Sequence, residues 1–348
     1  MMEGHFIDTL LDPVYRDSGA IFFTWKYFRG ITAPVFFTIS GFIFSYLLMK
    51  VAGTSKAKKR LKKGVKRGLL LLFLGYLLRA PILSWLQGSF SSYFFVVDVL
   101  HCIGLSLIII VGLYRLCDGK KVLLMTAFGL LWIGIFVSEP LYRDQSFDFL
   151  PAIFSNYLTK ANGSVFTIIP WFGYVAFGSM MAICFDLFEK VKSFKWISIS
   201  LMLLIGGVVF RFSSYLFMEL YYGTDVLVFK QIAYLNYLFP RLGDVLILFA
   251  IFYALNKYLN IEIVGKVGQK TLSIYVIHFI ILYGSFSGLG LRQVIGATLN
   301  PYFAGLGACI FIAIVCFLSL TDLKSNQFFY KKWKRLLKVT KRKLRLSP

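Results

Sequence analysis

The chain has 348 residues, of which 58% are hydrophobic and 16% charged, and its formal net charge is +22. Its mean hydropathy is +0.73. Because soluble domains are usually about 45–50% apolar, this composition excludes an ordinary soluble protein.

Apolar runs long enough to cross a hydrocarbon core of about 30 Å recur along the chain. Lipid cannot satisfy an exposed backbone, so such spans must be helical. We therefore predict an all-α fold, a polytopic transmembrane helical bundle of about ten spans with the first one truncated. We expect residues 1–11 to be the outer end of that truncated helix. The complete spans are predicted at 31–51, 68–86, 94–116, 121–138, 165–186, 196–218, 234–255, 271–286 and 301–320.

Lysine and arginine are concentrated in every second connection between these spans. Segment 50–67 holds nine of them, 321–348 holds ten, and three lie in each of 115–121, 188–195 and 256–270. The positive-inside rule makes these connections cytoplasmic. We predict an integral protein of the bacterial inner membrane, with a transmembrane domain over 1–323 and a basic cytoplasmic tail over 324–348. Because membrane topology explains the high positive charge, the charge does not indicate nucleic-acid binding, and we expect none.

The first candidate site is at His5, near the outer end of the truncated helix. An ionisable side chain in lipid is costly, so its presence indicates function. Asp8, three residues further on, could orient His5 as a general base. The structural alternative is a helix-end histidine hydrogen-bonded to a loop.

Asp98 and His101 lie three residues apart in the outer half of span 94–116. They could relay a proton, or they could satisfy each other in a helix–helix interface. A carboxylate in lipid needs a basic partner, for which Arg79 and Arg241 are the candidates.

Four further residues can likewise be explained by a functional or by a structural role. Arg29, just before span 31–51, could bind substrate or snorkel to the interface. Arg241 and Asp244 repeat the i, i+3 spacing and could form a self-contained pair. His278 follows apolar residues and could be functional or a packed histidine with a fixed tautomer.

The five cysteines show no metal-ligand spacing, and the chain has no zinc signature and no glycine-rich phosphate loop. We therefore expect no metal, and we expect the cysteines to act as small packing residues.

Four segments, in order along the chain, resemble one family. Residues 29–41 (RGITAPVFFTISG) resemble a span of the heparan-alpha-glucosaminide N-acetyltransferase-like family of membrane acyltransferases, in which that span follows a helix ending in a histidine. Segments 98–104 (DVLHCIG) and 169–178 (IPWFGYVAFG) are similar to two later helices of the family. Segment 272–278 (LSIYVIH) resembles a helix shared with related membrane O-acetyltransferases.

The resemblance implies a bundle of about ten or eleven helices that passes an acyl group from cytoplasmic acyl-coenzyme A to a sugar amine or hydroxyl. It assigns the family's essential histidine to His5, as general base or transient acyl carrier. Lys66 and Arg67 are reasonable contacts for the coenzyme A phosphates. The large luminal domain of the animal members has no counterpart in this sequence, so heparan is not assumed as the acceptor.

We therefore expect an acyl-CoA-dependent acyltransferase that modifies a sugar or glycan at the membrane or on its extracytoplasmic side, and we expect the missing half helix to impair it. Its partners are acyl-CoA (most simply acetyl-CoA), the glycan acceptor and membrane lipids, with a homo-oligomer left open. The candidate catalytic residues are His5, Asp98 and His101. The candidate donor-binding residues are Lys66 and Arg67, and the candidate substrate-binding residues are Asp8, Arg29 and His278.

Two alternatives remain open. One is a proton-coupled transporter that uses Asp98, His101 and Arg241 as its relay, although no repeated halves are found. The other is a noncatalytic scaffold or lipid-binding membrane protein, in which His5 and Asp98 matter only for stability.

Overall fold

A computed structural model describes residues 1–16, 19–259 and 261–321 of the chain. Within these ranges the chain forms helices and no β-strand, apart from an isolated bridge between Leu11 and Leu299. The predicted all-α fold class is therefore confirmed. The predicted tail, 324–348, lies outside the described residues, and the domain division of the sequence analysis stays a prediction.

The helices are numbered in chain order. They are α1 (Met2–Leu10), α2 (Gly19–Met49), α3 (Ser55–Arg79), α4 (Ile82–Leu86), α5 (Val99–Leu116), α6 (Lys121–Tyr142), α7 (Ala152–Ser155), α8 (Ile168–Phe188), α9 (Phe194–Leu204, continued by a π-helical turn at Ile205–Phe210), α10 (Ser213–Thr224), α11 (Leu227–Leu235), α12 (Leu238–Ala254), α13 (Glu262–Gln269), α14 (Thr271–Tyr283), α15 (Leu291–Ile295) and α16 (Pro301–Thr321).

The chain divides into two compact units. The first unit combines Met1–Ser18 with Asn260–Pro348. Its core joins α1, α14 and α16 through a cluster of buried apolar side chains, in which Phe6 and Leu10 of α1 meet Leu282 and Phe311. Because Phe6 and Leu10 are four residues apart, they lie on one face of α1, which fixes the side of that helix that is buried.

The second unit is Gly19–Leu259, and glycines set the close crossing of α2 with α8. A Cβ added to Gly41 would overlap the carbonyl oxygen of Val175, and one added to Gly178 would overlap that of Thr38. Small residues let transmembrane helices approach closely enough for van der Waals packing to hold them together. Both glycines belong to the segments that carried the family resemblance, so packing explains why those segments contain glycine.

Two more glycine pairs repeat this arrangement. Gly68 of α3 faces Gly104 of α5, where an added Cβ would lie 2.6 Å from the opposite carbonyl oxygen. Gly206 of the π-helical turn faces Gly243 of α12 in the same way, and a Cβ added to Gly206 would lie 2.7 Å from the carbonyl oxygen of Gly243. At each of these glycine pairs, the backbones of the two neighbouring segments are therefore in contact.

The structure does not confirm the expected number of about ten spans. Among the described residues, five helices are long and apolar enough to cross a membrane alone, and up to eight candidates result if three strongly bent helix pairs each count as one span. The five are Gly19–Met49, Ser92–Leu116, Lys121–Tyr142, Ile168–Phe188 and Pro301–Thr321. The bent pairs fall where the sequence predicted single spans at 196–218, 234–255 and 271–286, and the count of about ten is not confirmed.

Two predicted connections are partly helical. Helix α2 begins at Gly19 and not at residue 31, so Arg29 lies inside it. The basic segment 50–67 forms the first half of α3, in which Ala57, Leu61 and Gly64 are buried while most of the lysines point outward. Helical spacing of the buried positions explains how so charged a segment still packs against the protein.

Candidate active site

His5 and His278 meet in the first unit. Their rings are stacked with centroids 5.4 Å apart and planes inclined by 30°. The apolar contacts of Phe6 and Leu10 hold α1 in the same core as α14, which brings the two histidines together. Each was predicted separately from the sequence, and the structure brings the two side chains together.

Tyr283 joins this pair as a further polar residue. Its hydroxyl lies 3.3 Å from Nδ1 of His5, and Oγ1 of Thr9 donates to the same hydroxyl at 3.4 Å. Neither Tyr283 nor Thr9 was predicted from the sequence. Thr9 could have been found, because it follows His5 by four residues and therefore lies on the same helix face.

His278 is fully buried, and its orientation is fixed by its own helix. Nδ1 lies 3.1 Å from the carbonyl oxygen of Ile274, an acceptor, so Nδ1 carries the proton of the neutral ring. The edge of Tyr275 packs against the ring at 5.0 Å between centroids. This is the packed, tautomer-fixed histidine that the sequence analysis gave as the alternative, and its role in substrate binding stays a prediction.

Arg16 closes the end of the helix that carries His5. Its guanidinium donates to the carbonyl oxygen of Asp8 at 3.0 Å and to that of Leu11 at 2.7 Å. Carbonyl groups in the last turn of a helix have no partner within the helix, and a basic side chain can satisfy them. Asp8 therefore lies in a helix end that is held in place, one turn from His5.

A second group of polar residues lies at the start of α5, in the second unit. The carboxylate of Asp98 accepts the N–H of Val99 at 2.7 Å and forms an ion pair with Arg79 at 3.0 Å. In return, Nδ1 of His101 accepts the N–H of Asp98 at 3.1 Å, which completes a capping box. The basic partner that Asp98 was expected to need is therefore Arg79.

His101 is packed tightly between α3 and α5. The ring is fully buried and meets the ring of Tyr76 at 4.3 Å between centroids. A Cβ on Gly75 would lie 2.6 Å from its Cε1 atom. Within the described ranges Nε2 has no hydrogen-bond partner, and since Nδ1 accepts, Nε2 carries the proton.

Sequence comparison decides the family. The family model for the catalytic region of heparan-alpha-glucosaminide N-acetyltransferase matches residues 1–218, which is more than half of the chain. The chain belongs to this family. No curated protein and no solved structure matches it. This membership makes the protein a membrane acetyltransferase. The matched range contains His5, Asp98 and His101.

Among the residues that the structure describes, the densest positive charge of the acetyltransferase lies on the first half of α3. Lys66 and Arg67 are exposed there. Partial burial, and secondly the charge of Arg67, lower the pKa of the Arg60 guanidinium below its ordinary value. The guanidinium of Arg60 lies over the ring of Phe44 of α2 at 5.9 Å, so Arg60 contacts α2 while Lys66 and Arg67 stay exposed.

The predicted pair of Arg241 and Asp244 belongs to a larger network in the acetyltransferase. Their side chains are 3.4 Å apart, and the hydroxyl of Tyr27 donates to the same carboxylate at 2.6 Å. Arg211 donates to that hydroxyl at 3.2 Å. Sequence reasoning missed Tyr27 and Arg211, because their positions along the chain give no sign of the contact.

Arg29, another predicted substrate-binding residue, is exposed on α2 with its guanidinium 5.9 Å from the ring centroid of Trp25. Within the described ranges, no three His, Cys, Asp or Glu side chains form a group that could hold a metal ion.

Proposed function

We propose that this membrane acetyltransferase takes an acetyl group from cytoplasmic acetyl-coenzyme A and transfers it to an amine or hydroxyl of a sugar or glycan, at the membrane or on its extracytoplasmic side. The observation that carries the proposal is the contact of His5 with His278 and Tyr283 in a chain whose family match includes His5.

His5 acts as the general base in this proposal. To act as a base, His5 takes the tautomer in which its Nδ1–H donates to the hydroxyl oxygen of Tyr283. Its Nε2 then carries no proton and can accept one. The acceptor nitrogen or oxygen loses this proton as it bonds to the acetyl carbonyl carbon. The carbon–sulfur bond then breaks, and the coenzyme A sulfur takes the proton from His5. Such proton transfer contributes about 10²–10⁴-fold to a rate.

A second route is kept open, in which His5 first accepts the acetyl group itself and passes it on. In both routes Tyr283 holds Nδ1, and the stacked ring of His278 limits rotation of the His5 ring. Both neighbours therefore position His5 for reaction, which matters because a misplacement of about 1 Å can cost about a hundredfold in rate.

The basic half of α3 supplies the donor contacts in this proposal. Exposed Lys66 and Arg67 can form charge-assisted hydrogen bonds with the phosphates of coenzyme A. The positive-inside rule places this half of the helix on the cytoplasmic side, where acyl-CoA is found.

Asp98 and His101 were predicted to be catalytic, and that role stays a prediction. Their contacts support a positioning role, because the capping box and the ion pair with Arg79 together fix the start of α5.

The test is release of free thiol from acetyl-coenzyme A by the purified protein in detergent. We expect release by the wild-type chain and none by folded His5→Ala. Absence of both thiol release and coenzyme A binding, together with solute uptake driven by a pH gradient in liposomes, would favour the transporter instead.

A further inference from the structure

A cavity of about 520 Å³ lies in the second unit among α2, α8, α9 and α12. Its wall consists mainly of apolar and aromatic side chains, and Phe42 of α2 braces it by packing edge-on against Phe185 and Phe249, with centroids 5.4 and 5.7 Å away. Ligand sites in proteins usually measure about 300–1,000 Å³ and are mostly apolar. This cavity has the size and the lining of such a site.

The polar lining residues lie where α2, α8 and α12 end. Tyr46, Glu189 and Asn256 line the cavity there. Lys50 bonds to the Glu189 carboxylate. The ammonium group of Lys195 lies 3.1 Å from the amide oxygen of Asn256. The cavity therefore has an apolar interior and a polar mouth.

Positive charge exceeds negative charge at this mouth. Lys50 pairs with both Glu189 and Asp186, and Lys121 also pairs with Asp186, so these charges balance. The oxygen atoms that Lys195 contacts among the described residues belong to an amide and to the Ala254 carbonyl group. Lys190, Lys192 and Lys257 lie in the adjoining chain segments. The mouth therefore suits an anionic group.

The cavity also reaches the apolar surface of the protein. Two of its lining residues, Ile43 and Phe252, are 51% and 59% exposed. Ile43 belongs to a helix that is long and apolar enough to span the membrane, so an exposed apolar side chain on it faces lipid. A hydrocarbon chain can therefore enter from the bilayer without crossing water.

We propose that this cavity binds one acyl chain of an anionic membrane lipid, with the lipid phosphate at Lys195. The apolar wall and the lateral opening select a hydrocarbon chain, and the basic mouth selects an anionic head group over a zwitterionic one.

The cavity lies on a different side of α2 from the basic half of α3. Phe42 and Tyr46 face the cavity, whereas Phe44 faces Gly64 of α3. Residues two positions apart on a helix point about 200° apart. Lipid in the cavity and phosphates on the exposed face of α3 would therefore occupy separate places.

The test uses phosphatidylglycerol with a photoreactive diazirine in one acyl chain. Phosphatidylcholine that carries the same photoreactive chain is the zwitterionic control. Each is mixed with the full chain in detergent at the same mole fraction, and crosslinked peptides are mapped by mass spectrometry. We expect crosslinks to the cavity-lining parts of α2 and α12, at least about fivefold more from phosphatidylglycerol. Lys195→Gln should remove that preference.

Variants that fill the cavity distinguish crosslinks from lipid bound in it from crosslinks with lipid that surrounds the protein. Ile39→Trp and Leu248→Trp each place a larger side chain in the cavity wall, and each should lower crosslinking there at least about fivefold. Ile133→Trp, at a 45% exposed position of α6, is the matched control and should change nothing. Thermal unfolding confirms which variants are folded.

Two results would overturn the proposal. One is equal labelling of the cavity residues in wild type and in both folded tryptophan variants. The other is displacement of the label by unlabelled palmitoyl-coenzyme A but not by unlabelled phosphatidylglycerol, which would make the occupant an acyl donor.

Discussion

At the scale of single residues, the environment of His5 is built by side chains that come from both ends of the chain. Thr9 lies on its own helix, whereas His278 and Tyr283 come from α14. As the proposed general base, His5 needs His278 and Tyr283 beside it, because a general base must present a defined ring nitrogen in a defined direction.

Tyr283→Phe removes the hydroxyl at Nδ1 of His5 and leaves the ring in place. Because a hydrogen bond contributes about 1 kcal/mol net, we expect kcat for acetyl transfer to fall about five- to tenfold without loss of folded protein. The pH profile of kcat should shift as well, since Nδ1 loses its partner. Tyr222→Phe, at a 72% exposed position, is the control, and an equal kcat for both variants would contradict the role of Tyr283.

Asp98→Ala removes both a helix cap and the carboxylate that pairs with buried Arg79. Breaking a buried ion pair costs about 3–5 kcal/mol, so we expect a clear drop in the thermal unfolding midpoint in detergent. Asp144→Ala, at an exposed position, should leave the midpoint unchanged. An Asp98→Ala protein that is as stable as this control but inactive would return Asp98 to the catalytic residues.

Local contacts of this kind could be predicted from the sequence, whereas distant ones could not. Asp98 and His101 meet because they lie three residues apart at a helix start, and helix geometry guarantees that proximity. His5 and His278 are joined only by tertiary packing. The sequence could mark both as unusual in apolar runs, but no local pattern shows that they stack.

At the scale of helices, backbone contact at glycine holds the second unit together. The crossing of α2 and α8 at Gly41 and Gly178 leaves no room for a Cβ on either side. Van der Waals packing is the main attraction between helices in lipid, so close approach matters more there than in water.

Gly41→Ala therefore tests the crossing directly. The added methyl group meets backbone, which cannot move aside as a side chain can, and overpacking costs about 1–3 kcal/mol. We expect a lower thermal unfolding midpoint. In Gly112→Ala, which also changes a helical glycine but has open space around it, the midpoint should stay the same or rise. If the two variants melt alike, close packing at Gly41 is not needed.

The ends of α2 and α8 are joined by a polar contact that depends on pH. Hydrogen bonds from Lys50 and then from Tyr46 lower the pKa of the Glu189 carboxyl below its ordinary 4.5. A lowered pKa in the folded state stabilises the fold above the ordinary pKa, and this contribution is lost as the pH falls through the folded value. Stability from this contact should therefore decline below about pH 4.5.

Glu189→Gln should flatten that decline, as measured by unfolding midpoints between about pH 3 and 7. Glu262→Gln changes a carboxylate that is 83% exposed and serves as the matched control, with the slope of the wild type. An unchanged acid slope in Glu189→Gln would show that the contact does not form in solution.

At the scale of the whole molecule, composition was sufficient to predict an all-α membrane protein. It was not sufficient to predict the number of membrane spans. Apolar runs predicted helices that overlap the observed ones, but hydropathy alone does not show the bends. Phe194–Phe210 and Ser213–Thr224, for example, meet at 57° inside one predicted span. Segment 50–67 was predicted as a basic connection without a helix being assigned there, although its buried positions have helical spacing.

The central claim, acetyl transfer that depends on His5, is tested most directly by following the acetyl group itself. Membranes containing the protein are supplied with [¹⁴C]acetyl-coenzyme A and an amino-sugar or envelope-glycan acceptor, and label on the acceptor is counted per amount of folded protein. The wild-type chain should transfer label, Tyr283→Phe less, and His5→Ala none above empty membranes. Equal transfer by wild type and folded His5→Ala would contradict the claim.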